Sequence, residues 1–332
     1  MKRFMALLII FSLLTAVLTG CGSTAATTGS NSTSEKTVKV GIIQIVEHPA
    51  LDAARKGFLE TLAANGYTEG KNLTVDYKNA QGDQSTLNTI AQQFTSEKLN
   101  LVLAIATPSA QAMAAASSTI PILVTAVTDP VAAKLVNSNE KPGTNVTGTT
   151  DMNPIKQQFE LLKKLVPQTK KIGVIYNAGE VNSQVQVKMA KDVAAAMGLQ
   201  IVEATVASTA DVQQATESLV GKVDVVYVPT DNMVVSAAPT VLQVTNKAKI
   251  PVISGESSVV DKGALGTIGI NYENLGKQTG EMALQVLKGA KPQDMAIQSQ
   301  KEFDTVINKS SAALLGINIP DDLKNATFVE TK

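Results

Sequence analysis

From Val38 onward the chain repeats one pattern: an apolar, mostly β-branched run, a polar or Gly/Pro turn, an amphipathic stretch of helical period, then another apolar run. Val38–Ile45 predicts a buried strand. Leu51, Ala54, Phe58 and Leu62 fall on one stripe of the helix that follows, which Gly66 ends. Further strands are predicted at Leu73–Tyr77, Leu101–Ala106 and Ile120–Ala126, with helices over about 84–98 and 109–117. Short apolar strands joined by helices imply a parallel sheet covered on both faces.

The unit then recurs. Lys171-Ile172-Gly173-Val174-Ile175-Tyr176 mirrors Lys39-Val40-Gly41-Ile42-Ile43-Gln44, and each is followed by a polar loop, a helix, a glycine (Gly66; Gly198) and a second strand. Two doubly wound α/β lobes of like topology explain this. The second continues through strands at Val223–Val228, Ile250–Ser254 and Leu265–Ile270, with a helix over about 234–248. Leu275, Thr279, Met282 and Val286 mark one more amphipathic helix, and Phe303–Ile307 one more strand.

The first 36 residues follow different rules. Lys2 and Arg3 precede an apolar run from Met5 to Val17, too short for the ~20 residues of a membrane span. Leu18-Thr19-Gly20-Cys21 then forms a lipobox, so residues 1–20 read as a signal peptide and Cys21, the chain's single cysteine, as a lipidation site. Residues 22–36 hold no large apolar side chain and read as a flexible tether spanning roughly 20 Å. Without Lys2 and Arg3 the chain carries 27 basic against 29 acidic residues, and no basic patch calls for nucleic acid. With one cysteine, lipidated, and one histidine, His48, Cys/His zinc sites and Cys-His nucleophile pairs are excluded. GxGxxG, GxxxxGK[ST] and GxSxG are all absent. No cofactor and no catalysis are expected.

The segments EHPALD (47–52), ATPSAQ (106–111), TAVTDPVAA (125–133), GTTD (148–151), NAGEVNSQVQV (177–187), VPTDN (228–232) and SGESSVV (254–260) carry a specific likeness. Together with the lipobox they resemble the substrate-binding lipoproteins of ABC importers assigned to tryptophan, tyrosine or phenylalanine uptake. The resemblance implies a type I periplasmic-binding-protein fold with a three-stranded hinge, its crossings near 149–152, 270–273 and 295–300. The first lobe would hold 37–150 plus about 272–297, and the second 151–271 plus about 298–332. It also implies a monomer that hands a small molecule to an ABC permease and its ATPase subunits, and that meets the membrane through its lipid anchor alone. A same-fold protein for a sugar, nucleoside or signalling molecule is the alternative, and a surface hydrolase a more distant one. The absence of tryptophan tilts against sugar stacking.

In such sheets ligands bind beyond the carboxyl ends of the strands. The loops to inspect are therefore 45–49, 106–111, 126–130, 177–183, 229–233 and 255–258. Arg55 is the only arginine after the signal segment, so a ligand carboxylate would rest on hydroxyls and helix-N-terminal amides. Thr107 and Ser109 offer these, with Thr128 as a further hydroxyl, although Ser109 could equally be a plain cap. Asp231 is the candidate for an ammonium group, or else a cap for the next helix; Glu47, Asp151, Glu180 and Glu256 compete with it. Asn182 and Ser183 could contact ligand or cap. His48, extended before Pro49, stands in the first cleft loop. Tyr227 and Tyr176 could flank an aromatic ring or pack in the core.

Overall fold

The computed structural model describes residues 37–331. The expected signal peptide, lipidation site Cys21 and tether lie outside the described residues. The alternation of apolar runs and amphipathic stretches produces β1 (Val38–Gln44), α1 (Pro49–Ala64), β2 (Leu73–Asn79), α2 (Gln84–Ser96), β3 (Leu101–Ile105), α3 (Thr107–Ala116), β4 (Ile122–Val127) and β5 (Val146–Thr150). The second half gives α4 (Ile155–Leu165), β6 (Lys171–Asn177), α5 (Val181–Ala196), β7 (Gln200–Val206), α6 (Val212–Glu217), β8 (Val225–Val228), α7 (Asn232–Ser236), α8 (Ala238–Lys247), β9 (Val252–Ser254), α9 (Ser257–Asp261) and β10 (Gly266–Gly269). Then come α10 (Tyr272–Leu287), β11 (Gln298–Ser299), β12 (Asp304–Asn308), α11 (Lys309–Leu315) and β13 (Thr327–Val329).

Two sheets result. The first runs β11-β5-β4-β3-β1-β2 and is parallel throughout. The second runs β13-β12-β10-β9-β8-β6-β7, parallel except where β12 meets β10. In each, the strand order reverses about the opening strand, at β1/β3 and at β6/β8, which is where a doubly wound sheet opens a crevice. The two α/β lobes expected from the repeat are therefore present.

The predicted helix over 234–248 is broken into α7 and α8. Pro239 sits in the first turn of α8, where its missing N–H costs nothing, whereas inside one long helix it would clash with the carbonyl of Val235. Strands β5, β11 and β13 carry too few apolar residues to stand out in the sequence.

Helix α10 packs in the first lobe, as the resemblance implied, and its stripe Leu275, Thr279, Met282 and Val286 is buried. It lies against α1 at very short range. A Cβ on Gly57 would sit 2.1 Å from the Glu273 carbonyl oxygen, and one on Gly276 1.9 Å from that of Ala54. These glycines let two backbones touch. Because α10 begins at Tyr272, this packing also fixes a side chain of the cleft.

Candidate functional site

The loops after β1, β4 and β5 face those after β6, β8 and β9 across a narrow slot of only about 10 Å³. The first lobe contributes His48, Leu51, Ala126 and Thr128, and Asp151 and Tyr272 line its floor. The second lobe contributes Asn182, Thr230, Asn232, Val235 and Glu256. A slot of that size holds at most about one water, so a ligand enters when the lobes part. Outside the slot lies a wider cleft of about 830 Å³, walled by Ile45, Gly82 and Pro108 on one side and by Asn177, Glu180 and Met233 on the other.

The lobes are closed on each other. Met233 of α7 packs into the first lobe's core, its methyl 3.3 Å from where a Cβ on Gly82 would be. Gln186 Nε2 donates across the gap to Thr128 Oγ1 at 3.3 Å.

Five of the sequence-predicted residues, His48, Thr128, Asp151, Asn182 and Glu256, line this slot, and Thr107 and Ser109 lie near it at the start of α3. His48 is buried, and its extended backbone opens α1 ahead of Pro49. Burial, with the nearby Lys262 charge, pushes its pKa down to about 3, so the ring is neutral, and Nδ1 has no partner. Thr128 donates to Asp151 Oδ1 at 3.2 Å, and Tyr272 donates to Asp151 Oδ2 at 2.7 Å. Glu256 bonds the Ser258 hydroxyl through Oε1, and burial raises its pKa to about 7. Asn182 lines the slot with Oδ1 unpartnered. Thr107 and Ser109 are fully buried at the start of α3, and neither hydroxyl has a partner. Pro108 between them faces the outer cleft.

The backbone is strained at the same place. Ala106, entering α3, has φ +74° and ψ 157°, a conformation that is nearly glycine's own, and Ala126 has φ +56° beside a register shift in β4. Each costs on the order of 1–3 kcal/mol and persists where surrounding structure enforces it, which is common at ligand sites.

Five candidate residues do not face the slot, and for Asp231, Ser183 and the two tyrosines the ligand-contact reading gives way to a structural one. Asp231 does not project into the gap: its Oδ1 accepts from Val234 N at 2.9 Å, and its Oδ2 accepts from Ser183 Oγ and Asn177 N, both at 2.6 Å. It caps α7 and ties three segments of the second lobe together, leaving little acceptor capacity for a ligand. Ser183 spends its hydroxyl on that same carboxylate. Glu47 accepts from Tyr77 Oη at 3.0 Å, outside the slot, in a group where the Arg55 guanidinium lies 3.9 Å over the Tyr77 ring. Tyr227 is wholly buried in the second lobe's core, edge-on to Phe159 at 5.2 Å and donating to Gln158 Oε1 at 2.7 Å. Tyr176, likewise, donates to Glu203 away from the slot.

Sequence reasoning passed over Tyr272, Thr230 and Asn232. The last two lie within the VPTDN segment, whose position after a strand was the available signal. Asp231→Ala is expected to lower the melting temperature of the ligand-free protein. A lost cap costs about 1 kcal/mol, and buried donors left behind add about 1–3 kcal/mol. A ligand-free variant that melts with the wild type would show that the tie is not formed.

Comparison with known proteins agrees with this architecture. Residues 39–330 match the model of a family described as ABC transporter substrate binding protein. The chain is 46% identical to the Tyrosine-binding protein of Clostridioides difficile (strain R20291), over 95% of this chain and 92% of that one. A Streptococcus pneumonia ABC domain in complex with L-Trp shares 40% identity, with a TM-score of 0.86 over 89% of this chain and all of that one. A ligand-free, open substrate-binding protein with adhesive properties from Clostridium difficile shares more sequence, 49%, over the same 89% of this chain and all of that one, yet superposes less well, at 0.68. The present structure thus superposes better on the ligand-bound relative than on the open one, although it shares more sequence with the latter. From the fold, the cleft and this match over nearly its whole length, the chain belongs to the family of ABC transporter substrate binding proteins.

Proposed function

We propose that this protein captures an aromatic amino acid outside the cytoplasmic membrane and presents it to an ABC permease with its ATPase subunits, and that lipidated Cys21 keeps it at the membrane surface. One observation carries the choice of ligand class. Two buried hydroxyls without partners, Thr107 and Ser109, sit at the N-terminus of α3 in the first lobe, while the Glu256 carboxylate stands in the second-lobe wall and Asp151 on the floor. Buried acids lining the slot suit an ammonium group, and unpartnered donors at a helix N-terminus, whose Pro108 borders the outer cleft, suit a carboxylate that reaches α3 when the lobes part. Leu51, Val235 and the rings of His48 and Tyr272 leave walls for a flat apolar side chain. The Clostridioides difficile relative named for tyrosine and the pneumococcal complex with L-Trp support the same class.

No reaction is involved. The ligand touches both lobes and so favours the closed state by as much as its contacts there exceed those in the open one. At one hundred times its dissociation constant it should stabilise the fold by about 2.7 kcal/mol, a rise of several degrees in melting temperature. A melting panel of the common amino acids, sugars and nucleosides should give its largest shift with tyrosine, tryptophan or phenylalanine. A shift from a sugar or nucleoside alone would replace this reading with the same-fold alternative.

A further inference from the structure

Besides the acids already assigned, the closed cleft buries one that the zwitterion does not use. Glu180 precedes α5 on the rim between slot and outer cleft and is 5% exposed. Its Oε2 accepts from Asn182 Nδ2 and Asn232 Nδ2, while its Oε1 is buried with no partner. The adjoining Asn182 Oδ1 is a second buried acceptor without a donor. Asp231 stands behind Glu180; burial pushes its carboxyl up, but three protein donors against none on Glu180 Oε1 make Asp231 the better place for the charge of the pair.

The surrounding charges are of one sign. Asp151 and Glu256 line the slot, and Asp83 of the first lobe and Asp211 of the second line the outer cleft. Among the described residues, no lysine or arginine lines either space; Lys262 bears on His48 and Glu256 from outside. One ligand ammonium cannot balance Asp151, Glu256 and Glu180 together.

We propose that this protein binds its ligand together with a proton, held on Glu180 Oε1, so that closing the cleft takes a proton from solution. This rests on the amino-acid reading above. Val181, next in sequence to Glu180, packs against the first-lobe core, so parting the lobes uncovers this end of α5 and lets Glu180 ionise more readily. In the closed form a proton on Oε1 neutralises a buried carboxylate oxygen that has no donor and removes a charge facing Asp231. Burial, reinforced by Asp231, raises the closed-form pKa to about 8. Glu256 is not the holder, because the ammonium beside it restores its charge.

The sign follows from linkage: the closed state holds the proton more tightly, so binding strengthens as pH falls. His48 opposes this at lower pH, since a ring near pKa 6.5 when the lobes part must lose its proton to be buried neutral. The clean window is therefore pH 7–8, where His48 is largely neutral in both states.

Calorimetric titration with L-tryptophan, L-tyrosine and L-phenylalanine at pH 7.5, in two buffers of different ionisation enthalpy, counts the protons taken up. Most of one proton per ligand is expected, with affinity about fivefold weaker at pH 8 than at pH 7. Glu180→Gln should bind with no uptake and with affinity that changes less than twofold over that range. Tight wild-type binding without uptake overturns the proposal. Uptake that persists unchanged in Glu180→Gln overturns its placement on Glu180. If none of the three binds, the amino-acid reading fails, and this inference with it.

Discussion

Glu256→Ala is expected to weaken binding of the aromatic amino acid by about 30-fold to several thousand-fold, while the ligand-free protein stays at least as stable as before. Truncating one partner of a buried, hydrogen-bonded charge pair costs about 2–5 kcal/mol, much of it from the charge left behind. Here that charge is the ligand's ammonium. Before the ligand arrives the balance is the opposite: the carboxylate is fully buried, bonded by side chain only to Ser258, and raised toward neutrality by burial. Removing such a group from an empty pocket relieves a cost rather than adding one. Calorimetry and ligand-free melting of the same variant read the two halves separately. Affinity within threefold of wild type would place the ammonium elsewhere, with Asp151 the next candidate.

The fold was legible in the sequence because strand and helix periods are local properties. Val38–Ile45 and Leu101–Ala106 mark their strands closely, and Leu51, Ala54, Phe58 and Leu62 are all buried on α1 as their spacing requires. The site was legible only as far as loops could be assigned to strand ends. Which way a side chain points there depends on strand parity, and one residue decides it. Tyr227 lies one position before the end of β8, and its ring goes into the sheet face against Phe159 instead of into the cleft. Asp231 lies three positions beyond the same strand, where an N-cap geometry turns its carboxylate back onto Val234 N. The sequence offers each outcome as one of two alternatives and does not choose between them. The strain at Ala106 and Ala126 is equally hidden, since alanine gives no sign of a positive φ.

The contact between α1 and α10 was also invisible, because a glycine inside a helical pattern ordinarily only weakens the helix. In the structure three glycines mark where the two backbones meet: Gly57, Gly276 and Gly280. Gly276→Ala should therefore destabilise the first lobe strongly. Its new methyl would lie 1.9 Å from the Ala54 carbonyl oxygen and 2.9 Å from the Ala54 Cα, both backbone atoms that no rotamer change can move. The helices must separate, loosening the packing of Phe58, Leu62, Leu275 and Met282 between them and the sheet. Overpacking usually costs about 1–3 kcal/mol, and a backbone clash belongs at the upper end even after alanine's better helix propensity returns about 1 kcal/mol. For a body of this size about 3 kcal/mol lowers the melting temperature by roughly 6–12 °C. The displacement also reaches the site, because α10 starts at Tyr272, whose hydroxyl holds Asp151 at 2.7 Å. Ligand affinity should accordingly fall together with stability, although Gly276 touches no part of the slot. A Gly276→Ala protein that melts within a degree of wild type and binds normally would mean that α1 and α10 are not in backbone contact in solution.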